Sequence, residues 1–82
     1  MLSEEKKIVL QVVENYARTG STGDGQVNVT CLPDNKTSCV EQAAGDGGRS
    51  IMLEEYRVDG KVIWAGYSGR TRMVYLSSVR SQ

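Results

Sequence analysis

Residues 50–67 read SIMLEEYRV-DG-KVIWAGY. Two apolar runs flank Asp59-Gly60, a dipeptide suited to a two-residue hairpin turn in which both central residues take positive φ. Such a turn sets Val58 against Lys61, Tyr56 against Ile63 and Glu55 against Trp64. A second reversal at Ser68-Gly69 leads into RTRMVYLSSV, residues 70–79. Read as another two-residue turn, it sets Ala65 against Arg72, Trp64 against Met73 and Val62 against Tyr75.

Side chains alternate between the faces of a strand. One face of this sheet then carries Met52, Tyr56, Val58, Ile63, Ala65, Tyr67, Val74 and Leu76. The other carries Ile51, Leu53, Val62, Trp64, Met73, Tyr75 and Val79, with Glu55, Arg57 and Thr71. Both faces are apolar, whereas an antiparallel sheet with one wet face alternates cleanly to polar.

Upstream, the period changes. Val9, Val12, Val13, Tyr16 and Ala17 recur at three- and four-residue spacing and predict a helix. Ser3 is its expected N-cap, Glu4 and Glu5 suit the positive end of its dipole, and Gly20 is its expected left-handed terminator. Gly23 and Gly25 lengthen the connection. QVNVTCLP alternates as a strand from Gln26, Pro33-Asp34-Asn35 supplies a turn, and TSCVEQA returns. The expected fold is α+β: a single domain over residues 1–82, with an N-terminal helix packed on a four-stranded antiparallel meander sheet. The helix suits the aliphatic set around Ile63, Val74 and Leu76.

One helix covers one face. The other is expected to meet a second copy, another protein or a ligand. Its composition of aromatics, Met and Arg resembles an interface, and Arg57, Val62, Trp64, Met73 and Tyr75 are the candidate partner-binding residues. A homodimer is the expected state.

The 82 residues carry ten basic and ten acidic side chains, so no net field draws nucleic acid or anionic lipid. The charges are unevenly spread. Residues 1–48 hold four basic and seven acidic groups, and residues 49–82 hold six and three. An alternative reading makes the basic half an anion or nucleic-acid surface of Arg49, Arg70, Arg72 and Arg80, with Trp64 and Tyr75 as stacking groups. A third is a small-ligand carrier or enzyme with a pocket between helix and sheet.

The chain lacks histidine, which removes His-based triads and His-metal sites. Cys31 and Cys39 are too few for a zinc site and are not a Cys-x-x-Cys pair. A three- or five-residue loop sets them opposite each other, and a four-residue loop sets them on opposite faces. They are expected to be reduced and packed as small apolar groups, with a cross-hairpin disulfide as the alternative. Glu54 and Glu55 are adjacent and point to opposite faces, a poor acid–base pair. GDGGRS offers backbone N–H groups and Arg49 but lacks a phosphate-loop lysine, so a connector is expected. NVT at Asn28 and NKT at Asn35 match the glycosylation pattern, which carries no weight in a cytoplasmic protein. MLSEEKK lacks the apolar run expected of a secretory leader, and no run is long enough to span a membrane. The expected protein is cytoplasmic, non-catalytic and free of metal and cofactor.

Overall fold

A computed structural model describes residues 3–22, 27–41 and 48–79. Helix α1 spans Glu4–Thr19. The Ser3 hydroxyl accepts from the Lys6 N–H at 3.1 Å. Gly20, at φ 74°, closes the other end by donating to the Tyr16 carbonyl at 2.9 Å. Both ends match the caps expected from sequence. The β-branched residues along the helix are mediocre helix formers, so its stability depends on burying Val9, Val12, Val13 and Ala17.

Six strands follow among the described residues: β1 (Asn28–Cys31), β2 (Ser38–Glu41), β3 (Arg49–Met52), β4 (Glu54–Val58), β5 (Lys61–Ser68) and β6 (Met73–Ser78). They form two sheets. The larger has the order β1-β6-β5-β4, and the smaller is the antiparallel pair β2-β3. The class is α+β as expected, but the main sheet is mixed rather than a meander. Strand β1 lies parallel to β6, with Val29 beside Val74 and Cys31 beside Leu76. Between β1 at one edge and β4 at the other, the chain leaves the sheet to build the β2–β3 pair.

The Asp59-Gly60 turn forms as expected, with φ 52° and 77°. Its register places Val58 on Lys61, Tyr56 on Ile63 and Glu55 on Trp64. The next turn does not. It takes four residues, 69–72, with Arg72 at φ 54°, and pairs Ser68 with Met73 and Ala65 with Leu76. The register therefore moves by four residues from the two-residue reading. An even shift changes every partner and leaves every face intact.

The helix accordingly packs on the aliphatic face. Val9, Val12, Val13, Ala17, Ile63, Ala65, Val74 and Leu76 form the core, with Tyr56, Val58 and Tyr67 at its margin. Met52 is a correction. SIMLEEYRV is not one strand but two, separated at Leu53, where the chain passes between sheets. Met52 belongs to the small sheet and is 73% exposed.

Candidate functional site

The face of the main sheet opposite the helix, the back face, consists of four cross-strand rows. The first runs Arg57, Val62 and Val79, the last joined by its N–H to the Val62 carbonyl at 3.2 Å. The second runs Glu55, Trp64 and Ser77, and the third pairs Gly66 with Tyr75. Ser68 and Met73 make the fourth.

The β2–β3 hairpin closes one end of this face. Its inward side chains include Cys39, Glu41 and Ile51, because the two strands pair Cys39 with Ile51 and Glu41 with Arg49. Gly66 is what lets it approach. A Cβ there would stand 2.8 Å from Leu53 Cδ2, 3.0 Å from the Met52 carbonyl oxygen and 3.2 Å from Ile51 Cγ2. Ile51 and Leu53 thus reach the expected face, but from a second layer rather than from strands of the sheet. The expectation that only a partner or ligand covers this face is corrected at this end: the chain covers it itself.

At the fourth row the hairpin is latched by Glu41, which is 2% exposed. Its Oε2 accepts from Thr71 Oγ1 at 2.7 Å and from the Tyr75 hydroxyl at 3.3 Å. Oε1 accepts no hydrogen bond from a described residue. The nearby Ser68 hydroxyl, then Thr71, hold the carboxyl below its usual range against the opposing effect of burial, with smaller help from Tyr75 and Arg70. Burial, then the Glu41 charge, pushes the Cys39 thiol and the Tyr75 phenol up. A thiol so placed is a weak nucleophile.

The loop after β1 closes part of the second row. Leu32 and Asn35 donate to the Leu76 and Ser78 carbonyls at 2.7 and 2.9 Å. Ser77, 1% exposed, donates to the Pro33 carbonyl and accepts from the Lys36 N–H, both at 2.8 Å.

The five residues expected to bind a partner do share one face, but the structure divides them. Tyr75 and Met73 stand at the latched end, where the Met73 sulfur accepts from Thr30 Oγ1 at 3.1 Å. Arg57, Val62 and Trp64 stand at the open end. Arg57 is exposed, Val62 and Trp64 are half-buried, and Val79 beside them is 41% exposed. Arg57 Nε pairs with Glu55 Oε2 at 2.5 Å within the chain. On the opposite face Glu54 pairs with Lys6, whose ammonium lies 5.4 Å from the Tyr56 ring centre.

The arginines of the alternative reading do not gather on the open strip. Arg49 begins β3 opposite Glu41, and Arg70 and Arg72 lie in the exposed β5–β6 turn. The Arg70 charge acts on Glu41. An anion there would meet a buried carboxylate that is already ionised. Arg80 and the first three residues of GDGGRS lie outside the described residues, as do Gly23, Gly25 and Gln26.

The cysteines are a correction. They are not opposed: Cys31 lies beside Leu76 and Cys39 opposite Ile51. Both are free, and Cys31 is exposed rather than packed. Sequence reasoning also missed Val40 and Met52, which share the outward face of the hairpin and are both exposed. They alternate with the inward-facing Cys39, Glu41 and Ile51, which was the available signal.

Two open clefts lie at the ends of the helix–sheet seam. One, of ≈ 260 Å³, is lined by residues that include Glu5, Lys6, Glu54 and Tyr56. The other, of ≈ 520 Å³, lies between the end of α1 and Val62, Ser78 and Val79. Lys61 lines it and donates to the Ala17 carbonyl at 2.6 Å, so its ammonium is engaged with the helix end. Among the described residues no helix is long and apolar enough to cross a membrane, and no cluster of acidic and thiol side chains has the makings of a metal site.

No family model, curated protein or solved structure matches this chain.

Proposed function

We propose that the protein is a small non-catalytic interaction module that associates with a second copy through the open end of its back face. One observation carries this reading. The hairpin and the loop after β1 cover the back face from the Ser68 row to Ser77 and stop there, leaving Val62, Trp64 and Val79 as an apolar strip bordered by the Glu55–Arg57 ion pair. Tryptophan and arginine are the residue types that most often anchor protein interfaces. Burying a large apolar side chain contributes roughly 1.5–3 kcal/mol, a sizeable gain for a domain this small.

Trp64→Glu tests the reading. It sets a carboxylate in the strip beside Glu55 and should convert a wild-type dimer to monomer while leaving the helix signal in circular dichroism intact. A variant that remains dimeric would place the interface elsewhere.

A further inference from the structure

We propose that two copies join edge to edge through β4, antiparallel, about a two-fold axis that passes beside Tyr56. This rests on the self-association argued above but puts the contact at the strand edge that borders the open strip, with Trp64 and Val62 one strand in from the junction. Strand β4 is the last strand of the main sheet. Among the described residues no strand lies outside it, and no turn or loop makes a backbone hydrogen bond to Glu54–Val58. Edge strands are normally blunted by shortness, a bulge, a proline or charged side chains, and β4 does carry Glu54, Glu55 and Arg57. It has an unbroken five-residue ladder to β5 and no proline. Its back-face charges, Glu55 and Arg57, are of opposite sign.

Those charges select one register. A two-fold axis perpendicular to the sheet keeps back face with back face, so it must pass beside a residue and not between residues. Centred on Glu55 it opposes Glu55 to itself, and centred on Arg57 it opposes Arg57 to itself. Directly opposed like charges are destabilising. Centred on Tyr56 it sets Glu55 against Arg57 of the second copy, twice, by the self-complementarity of a two-fold contact. The internal Glu55–Arg57 pair is exchanged for two pairs across the junction. On the helix face Tyr56 meets its own copy.

The result is a sheet of eight strands with both helices on one side. Its central back-face rows read Trp64, Glu55, then Arg57 and Val62 of the second copy. The open strip of each chain thereby becomes part of one continuous surface.

Charge reversal tests the geometry. Glu55→Arg and Arg57→Glu should each weaken self-association on the order of tenfold or more, since each replaces two attractive pairs by two repulsive ones. An equimolar mixture of the two variants should regain the dimer, because every position 55 again faces an opposite charge at position 57. Amide exchange supplies a second readout. The β4 amides that point away from β5 should become protected as wild-type concentration rises, which association by the face alone would not produce. A wild-type dimer indifferent to both reversals, or with β4 amides exchanging equally at all concentrations, would overturn the edge geometry and leave self-association standing. A wild type that is monomeric throughout would overturn both.

Discussion

Thr71 Oγ1 donates a 2.7 Å hydrogen bond to Glu41 Oε2 and so ties the β5–β6 turn to the end of the hairpin. The bond joins two sheets through a carboxylate that is almost wholly buried. Such a group is tolerable while its donors remain, and its removal strands the hydroxyls of Thr71 and Tyr75. Glu41→Ala should therefore loosen the hairpin before the rest. Amide exchange in β2 and β3 should accelerate, with α1 and β5 little changed. Uniform acceleration throughout would mean that the hairpin is not a separate unit.

The same latch has a pH dependence. Glu41 is held below its ordinary value of 4.5, first by Ser68 and then by Thr71. A carboxyl whose folded pKa is depressed stabilises fully above the unfolded value and loses that contribution as pH falls through the folded one. Wild-type stability should decline below about pH 4.5. Glu54, held down by Lys6, titrates in the same direction. Glu41→Gln should therefore flatten the decline and not abolish it. An unaltered acid profile in urea titrations would show that Glu41 contributes nothing.

Gly66 is where the second layer touches the first. Gly66→Ala places a methyl against Leu53 and against the Met52 carbonyl oxygen, which is backbone and cannot rotate aside. Overpacking of this kind costs about 1–3 kcal/mol. The loss should appear as a lower urea midpoint. A neutral result would mean that the hairpin does not lie against β5.

Gly60 tests the turn. Its φ is 77°, and nothing lies within 4 Å of where a Cβ would stand, so a side chain there meets strain and not a clash. Gly60→Val should cost more than about 1 kcal/mol from left-handed geometry alone. An unchanged melting temperature would contradict the turn.

The cysteines should separate kinetically. At neutral pH a thiol reagent should label exposed Cys31 in the native protein and Cys39 much more slowly, because Cys39 is half-buried and its thiol pKa is raised. Equal rates would place Cys39 at the surface.

The helix, both its caps, the Asp59-Gly60 hairpin and the assignment of most residues to faces are legible in the sequence, since each rests on local chemistry or on a period. Pairing at long range is not. Val27 and Val29 announce a strand, but nothing in their spacing says that β6, more than forty residues later, is the neighbour. Adjacent strands in sequence usually pair, and β1 departs from that habit. The break at Leu53 is hidden because the apolar run continues through it while the chain changes layers. The excess of apolar residues on the back face does signal a need for cover. Much of that cover is Ile51 and Leu53, from the same chain. The open strip is legible in Arg57, Val62 and Trp64, but its limit is not, because that is set by where the hairpin stops.

Sedimentation equilibrium of the wild-type protein tests self-association most directly. The chain has a mass of 9.0 kDa. A self-associating chain should show a concentration-dependent mass that rises to twice this value at micromolar concentrations. A single species at the monomer mass over that whole range would contradict self-association.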